Sequence, residues 1–237
     1  MKQDMWILSL LLIAAVTTAF QLDRQSRYVP QWAKYVPEPA RYFAQTHVTA
    51  QALQSEDPEA AQAAASTLLS RRSVPAENMR LYAQAALQEG SAEQGLLALQ
   101  LAAQRGWRDP IAQEAMARIA WAGGDAAESA RRLAALYARE PNSAVLEELA
   151  DEVLSNPEGR DQMAELLAGP ARWEAAFVRT AVRDLSTPTY NDVLLAAHEK
   201  GAKLSCAPLQ NAARQQARIA GIGEEETALE PLLENNC

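Results

Sequence analysis

The side chains with the most evident capacity for chemistry are two cysteines, two histidines and several clustered carboxylates. Cys206 and Cys237 lie in a stretch that is typical of two helices joined by a turn. The first helix begins near Cys206 and the second ends near Cys237. Because these two ends are neighbours in an antiparallel hairpin, a disulfide between the cysteines would link the C-terminal hairpin. The pattern indicates an oxidising compartment. Two unrelated free thiols are the alternative.

The histidines and carboxylates form no catalytic pattern. His47 lies within a predicted helix and is interpreted as a packing residue. His198 lies near a predicted helix C-terminus, where the helix dipole favours a protonated imidazole. The acidic pairs at 147–148 and 151–152 are typical of a solvated helix face. Because the sequence also lacks a zinc-protease helix, a phosphate-binding glycine loop and a nucleophile elbow, we expect no catalytic residue and no enzyme activity.

Composition predicts an all-α fold without cofactor or metal. Alanine is the most frequent residue and valine and isoleucine are sparse, which favours helices over strands. No Cys-x-x-Cys pair or His/Cys cluster suggests zinc. The net charge of −8 argues against nucleic-acid partners, whose phosphates require Lys and Arg, and against electrostatic docking on anionic lipid.

Residues 1–20 are predicted to be a membrane anchor or a signal peptide. An uncharged run at residues 5–20 is shorter than the roughly 20 residues that span a bilayer. Thr17 and Ala19 are small residues of the kind found before a signal-peptide cleavage site. The cleavage pattern is imperfect and Trp6 could lie at a membrane interface, so we favour the anchor over the signal peptide and over a buried core helix. Membrane contact is expected through this segment alone.

Residues 21–41 are predicted to connect that segment to the body of the protein. Pro30, Pro37 and Pro39 prevent a continuous helix. The aromatic residues spaced between and before the prolines could pack on a membrane surface or on the first helices of the body. A partly ordered linker is the preferred interpretation.

Three windows that begin at Tyr42, Ala76 and Pro110 align without a gap, 34 residues apart. Small residues recur at two positions of each window, and each window has a turn near its middle, which predicts a helix, a tight turn and a second helix that touch closely. The recurring small residues are Thr49, Ala83 and Ala117 at the eighth position and Ala61, Gly95 and Ser129 at the twentieth. The turn positions are Glu56-Asp57, Gly90-Ser91 and Gly124-Asp125, where glycine can close one helix and Asp or Ser can cap the next.

A helix–turn–helix period of 34 residues resembles the tetratricopeptide repeat, most clearly over residues 42–143. The third window is the nearest match, with Gly124 and Asp125 at the turn. It departs from the pattern at Gln113 and Ala120, where the family has Trp and Tyr. The second window ends in a stretch more similar to the related Sel1-type repeat. The resemblance implies a superhelical α-solenoid of antiparallel helix pairs, with unstacked alanine-rich helices as the alternative.

Beyond residue 143 the repeat register drifts. Residues 144–204 are predicted to form degenerate helix pairs and residues 205–237 a capping helical hairpin. With the three earlier windows this gives about twelve helices in six pairs after the N-terminal segment.

The resemblance implies that the first helices of the pairs line a concave surface that binds a partner. The candidate groove residues are Arg80, Gln84, Glu114, Arg118 and Trp121. Trp121 with Arg118 could anchor a peptide, although packing of Trp121 against a neighbouring repeat is the preferred interpretation.

We therefore expect a non-catalytic scaffold or adaptor for protein partners in the bacterial cell envelope. It would be anchored in the inner membrane and face the periplasm, or be periplasmic if residues 1–20 are cleaved. One alternative is an enzyme acting on envelope polymers. Another is a periplasmic protein that binds a small ligand or glycan in a pocket lined by Trp121 or Trp173.

Overall fold

The computed structural model describes residues 2–170 and 173–237, and within these ranges the chain is helical with no β-strand. The all-α prediction is thereby confirmed, while the superhelical arrangement stays a prediction. The thirteen α-helices of the described ranges are α1 Lys2–Ser26, α2 Ala44–Ala52, α3 Pro58–Arg71, α4 Ala76–Glu89, α5 Ala92–Arg105, α6 Pro110–Ala122, α7 Ala126–Arg139, α8 Ala144–Ser155, α9 Pro157–Ala168, α10 Glu174–Asp184, α11 Thr187–Glu199, α12 Cys206–Ala220 and α13 Glu230–Asn236. Short 3₁₀ segments occur at Pro30–Tyr35, Glu38–Ala40 and Glu224–Glu226.

The chain divides into two compact units, Met1–Gly106 and Trp107–Cys237. Unit 1 contains α1 to α5, and unit 2 contains α6 to α13. The division falls three residues before the end of the second window of the sequence repeat. The domain limits drawn from the sequence stay a prediction.

Helix starts recur with the period of the sequence pattern. Two series of helix starts each advance by 34 residues at every step, so the predicted helix–turn–helix repeat is present in the fold. The first series is Pro58, Ala92 and Ala126, which begin α3, α5 and α7, and the second is Ala76, Pro110 and Ala144, which begin α4, α6 and α8.

Two of the three turns use a left-handed glycine. Gly90, with φ of 94°, follows α4, and Gly124, with φ of 79°, lies in the turn after α6. Glycine adopts this conformation without the steric cost that a Cβ imposes, and it reverses the chain within a few residues. The first window has no glycine there, and its first helix, α2, ends early at Ala52.

Acidic residues cap the second helices of two windows, as predicted. Asp57 Oδ1 accepts a hydrogen bond from the N–H of Ala60 at 3.0 Å, and Asp125 Oδ1 accepts one from Glu128 at 2.8 Å. Ser91 occupies the same position before α5 but makes no side-chain cap. The capping prediction is therefore confirmed for the two aspartates and wrong for the serine.

The small residues lie where paired helices touch. Ser129 Oγ donates to the carbonyl oxygen of Ala117 at 3.0 Å across α6 and α7. At the same repeat position of unit 1, a Cβ placed on Gly95 would lie 3.1 Å from the carbonyl oxygen of Ala83. A larger side chain at either site would separate the helices, which explains the recurrence of small residues there.

The two units have different cores. One cluster in unit 1 has only leucine and alanine as its buried residues, namely Leu53, Ala61, Ala65, Leu68, Leu81 and Ala85, with the partly buried Tyr82 packed against it. The cluster in unit 2 extends from α6 to α13 and includes the fully buried rings of Tyr137, Phe177 and Tyr190.

The segment after residue 20 differs from the partly ordered linker that was expected. α1 continues to Ser26, and the carboxylate of Asp23 is buried and accepts hydrogen bonds from the backbone N–H groups of Tyr42, Phe43 and Ala44 at 2.8 to 3.1 Å. These donors are the otherwise unpaired N–H groups at the start of α2. The bonds therefore attach the end of α1 directly to the first repeat helix.

The C-terminal hairpin has the predicted geometry. α12 begins at Cys206, Cys237 directly follows α13, and their sulfur atoms are at disulfide-bonding distance with Cα atoms 5.2 Å apart. Asn236 Oδ1 also accepts a hydrogen bond from Leu204 at 3.0 Å. The last helix is thus tied to the start of α12 by both a cysteine pair and a polar contact.

Candidate functional site

Three of the candidate groove residues lie along one face of α6. Glu114, Arg118 and Trp121 are spaced by four and three residues, which places them on the same side of the helix. α6 begins at Pro110, and Asp109 caps it by accepting a hydrogen bond from Ala112 at 3.3 Å.

Arg118 forms a two-pronged ion pair with Glu148 of α8. Nη1 and Nη2 donate to the two carboxylate oxygens at 2.6 Å each. This hydrogen bonding raises the pKa of Arg118 and lowers the pKa of Glu148. The side chains are 45% and 59% exposed, so solvent weakens the attraction and the pair contributes little to folding. It aligns two charges on the surface of α6 and α8.

Glu114 joins α6 to the start of α8. Its Oε1 accepts a hydrogen bond from Ser143 Oγ at 2.6 Å, and the same Oγ accepts one from the N–H of Val145 at 3.3 Å. Ser143 is the N-cap of α8. Glu114 therefore positions the neighbouring helix in the structure.

Trp121 is half-buried and packs against the core of unit 2. Packing of Trp121 against a neighbouring repeat, the preferred interpretation, stays a prediction. Trp173 is likewise half-buried, with its ring edge-on to Phe177 at a centroid distance of 6.0 Å. Neither contact gives support to a ligand pocket built on these two tryptophans.

The other two candidates, Arg80 and Gln84, lie one helical turn apart on α4 in unit 1. Gln84 is exposed and Arg80 is half-buried. The flanking residues Leu81 and Ala85 are buried in the unit 1 core, so α4 presents Gln84 on its outer side.

Sequence reasoning missed a carboxylate that caps a distant helix. Asp151 of α8 accepts hydrogen bonds from the N–H and hydroxyl of Ser186, at 2.8 and 2.9 Å, at the start of α11. Burial raises the pKa of Asp151, but the hydrogen bonds from Ser186 and Thr189 outweigh burial and lower it. In the sequence Asp151 belongs to an acidic pair typical of a solvated face, and nothing local indicates its partner.

A second missed group is the pair Tyr137 and Asp184. The Tyr137 hydroxyl and Asp184 Oδ2 are buried without a well-formed hydrogen bond in the described part of the chain. Burial raises the pKa of both groups, and the Asp184 charge raises that of Tyr137 further. Because buried polar groups without hydrogen bonds reduce the free energy of unfolding, Tyr137 and Asp184 are expected to destabilise unit 2.

α1 is the most exposed apolar element of unit 1. Its residues Gln3–Ser26 are long and apolar enough to cross a bilayer, by length and composition, and none of the most apolar stretch is buried. A signal sequence passes the same test. Among the residues with described positions, no group of three or more His, Cys, Asp or Glu is placed to hold a metal ion.

The chain matches none of the protein-family models, curated proteins or solved structures with which it was compared.

Proposed function

We propose that this chain is a membrane-tethered helical-repeat scaffold of the bacterial cell envelope that binds protein partners. The observation that carries the proposal is the 34-residue recurrence of helix starts. It is accompanied by the same turn geometry at Gly90 and Gly124 and the same close helix contact at Gly95 and Ser129. Helix pairs of this kind, like the tetratricopeptide repeats that the sequence resembles, stack into solenoids with an extended binding face.

The proposed binding face consists of the exposed residues on the first helices of the pairs. In unit 1 this face includes Gln84 on α4, and in unit 2 it includes the Arg118–Glu148 pair on α6 and α8. Because the pair is exposed, a partner with its own charged groups can exchange with it at low cost. Glu114 and Trp121, which contact their own unit, would support this face from beneath. The proposed role is non-catalytic.

The tether is α1, retained as an inner-membrane anchor with both units in the periplasm. The exposed apolar helix supports membrane contact. The cysteine pair at disulfide-bonding distance supports an oxidising compartment for unit 2. Anchoring raises the effective concentration of the scaffold for membrane-associated partners.

Site-specific photocrosslinking in the native envelope tests the binding face. A photoreactive amino acid would replace Gln84 or Arg118 on the first helices. The matched controls are Gln100 on α5 and Arg131 on α7, exposed residues of the same types on second helices. We expect one reproducible protein adduct at Gln84 and Arg118 and none at the controls. Equal crosslinking at all four positions, or none at any, would contradict the proposal.

A further inference from the structure

The proline-rich segment after α1 folds back along it. A groove of about 380 Å³ separates the two. It is lined by Ala15, Val16, Ala19 and Phe20 of α1 and by Pro37, Pro39 and Ala40 at the second 3₁₀ segment. All seven are apolar, so the groove is an apolar surface continuous with the exposed apolar face of α1.

The groove lies at the depth of a membrane interface if α1 spans the bilayer. The uncharged run at residues 5–20 is about 24 Å long at 1.5 Å per residue, less than the roughly 30 Å of a hydrocarbon core. If Phe20 extended beyond the hydrocarbon core on one side, the charged residues before Met5 would be drawn into the core on the other side. Phe20 therefore lies at or inside the boundary of the hydrocarbon core. Ala15 lies about 7.5 Å deeper along the helix. The proline segment beside it is consequently drawn to the level of lipid headgroups and upper acyl chains.

The backbone of the segment suits a water-poor environment. Three of its residues, Pro30, Pro37 and Pro39, are prolines, which carry no N–H group. The N–H groups of Ala40 and Arg41 donate to the carbonyls of Pro37 and Glu38 at 2.9 and 3.1 Å. Arg71 Nη1 donates to the carbonyls of Glu38 and Arg41 at 3.0 and 2.9 Å. These polar groups need no water to be satisfied, as a membrane interface requires.

The charge of the segment at residues 21–41, with Arg71 and Arg72, is opposite in sign to that of the whole chain. Within residues 21–41, together with Arg71, which bonds to Glu38 and Arg41, and its neighbour Arg72, basic side chains outnumber acidic ones. The basic set is Arg24, Arg27, Lys34, Arg41, Arg71 and Arg72, against the acids Asp23 and Glu38. The Asp23 carboxylate is occupied by three backbone N–H groups, while Glu38 is exposed and opposes an anionic ligand. The net charge of −8 predicts no attraction to anionic lipid because it averages over this local surplus.

Aromatic residues border the same surface. Tyr28, Trp32 and Tyr35 are exposed, and a second hollow of about 460 Å³ is lined by Tyr28 and Trp32 together with Arg24 and the polar end of α1. Tyr and Trp concentrate at membrane interfaces because their rings are apolar and their tips are polar.

We infer that this membrane-proximal surface, formed by residues 15–41 with Arg71 and Arg72, binds an anionic phospholipid of the bilayer, with an acyl chain in the groove between α1 and the proline segment and the phosphate on the surrounding arginines. The inference rests on the proposed anchoring of α1. Lipid binding would hold unit 1 in a fixed position at the membrane surface instead of on a flexible tether.

The test uses the full-length protein reconstituted into vesicles of phosphatidylcholine and phosphatidylglycerol. A trace of phosphatidylglycerol carries a photoactivatable diazirine in its acyl chain. Trypsin then releases residues 35–41 as one peptide, bounded by Lys34 and Arg41. We expect lipid adducts on this peptide and on α1. The peptide containing the exposed Ile219, which is apolar but lies in unit 2, should carry none.

A groove-filling variant makes the result specific. Val16→Trp places a large ring in the groove from the α1 side, and Leu10→Trp makes the same kind of change at an exposed α1 position outside it. We expect loss of adducts on residues 35–41 for Val16→Trp only, with α1 labelled in both. An unchanged adduct yield in Val16→Trp would overturn the acyl-chain assignment.

The outcomes separate the two proposals. Labelling of α1 without residues 35–41 overturns the lipid site and leaves the anchor intact. Absence of label from both overturns the anchor and the lipid site together. Equal labelling of residues 35–41 by a phosphatidylcholine probe in vesicles without phosphatidylglycerol overturns the role of the arginines. Strong dependence on phosphatidylglycerol supports it.

Discussion

Units 1 and 2 are built from the same kind of helix pair, but the side chains buried between the helices differ. In unit 1 the pair is closed by alanine and leucine, and buried polar side chains reach across it, as when Thr49 Oγ1 donates to the Ala64 carbonyl at 3.0 Å. In unit 2 a larger cluster contains three buried aromatic rings, and Tyr137 and Phe177 meet edge-on at 4.8 Å. The repeat period therefore sets the spacing of the helices along the chain, while the buried side chains set how much apolar surface each unit removes from water.

Both units share a device for joining elements that are distant in sequence. A carboxylate on one helix accepts the unpaired N–H groups at the start of another. Asp23 does this for α2 in unit 1, and Asp151 and Glu174 do it for Ser186 and Ser205 in unit 2. Such caps orient helices where an alanine-rich interface offers little shape of its own.

The largest expected effect is in the aromatic core of unit 2. Phe177→Ala removes a ring that is fully buried against Tyr137 and Trp173, and we expect a loss of about 3–5 kcal/mol from unfolding free energy. Hydrogen exchange of α10 amides measures it. The matched change in unit 1 is Leu68→Ala, read from α3, for which we expect about 2–3 kcal/mol because fewer atoms are removed. A larger loss in unit 1 would reverse the comparison of the cores.

The cysteine pair gives unit 2 a stabilisation that has no counterpart among the residues of unit 1. It closes a loop with a sequence separation of 31 residues, for which chain entropy predicts about 3–4 kcal/mol. We expect reductant to increase hydrogen exchange in α12 and α13 of the wild type. The Cys206→Ser, Cys237→Ser double variant should already show the faster exchange and not respond to reductant. Identical exchange in the oxidised wild type and the double variant would rule out the stabilising role.

The caps of unit 1 can be ranked by the same method. Asp23→Ala leaves the start of α2 without its acceptor, and we expect a loss of about 2 kcal/mol in α2. Asp57→Ala removes an exposed cap with one hydrogen bond and should cost about 1 kcal/mol in α3. If Asp23→Ala cost no more than Asp57→Ala, α1 would not be held to α2 as described.

The cap by Asp151 in unit 2 has a defined pH dependence. Its pKa in the fold is lowered from 3.8, so the ionised form stabilises the fold above this value and the contribution disappears as pH falls through the folded pKa. We expect Asp151→Asn to lose about 1 kcal/mol at pH 7. Denaturant unfolding at pH 7 and pH 3 measures the difference, which should shrink at pH 3. A constant difference would mean that the charge has no part in the cap.

Asp184 affects the unfolding free energy with the opposite pH dependence to Asp151, and its expected effect is the smallest of these predictions. Burial raises its pKa above 3.8, so ionisation destabilises the fold, and wild-type stability falls as pH rises from 3.8 through the folded pKa. We expect Asp184→Asn to stabilise unit 2 at pH 7 by less than about 1 kcal/mol, since the carboxyl is only partly buried. At pH 3 the variant and wild type should unfold alike. A less stable variant at pH 7 would show that the buried charge is useful to the fold.

Much of the local structure could be predicted because it depends on residues close in sequence. The turns at Gly90 and Gly124, the caps at Asp57 and Asp125, and the close contacts at the small positions follow from short patterns at a regular period. The cysteine pair was predictable because the hairpin that joins it is also local.

The functional surfaces were harder to predict because their partners are remote in the chain. Arg118 was proposed as a groove residue, but its contact with Glu148 depends on how α6 and α8 pack. Asp23 was assigned to a linker, since nothing near it signals that it caps a helix 19 to 21 residues later. Net charge similarly hid the basic surface around the end of α1.

The retention of α1 tests the account most directly, because both the tether and the lipid site depend on it. Membranes from cells that make the full chain would be washed with alkaline carbonate, and the N-terminal peptide of the retained protein identified by mass spectrometry. We predict that the protein stays in the membrane with a peptide that begins before residue 5. A protein released by the wash, with a new N-terminus at Phe20, would show that α1 is a cleaved signal and would contradict the account.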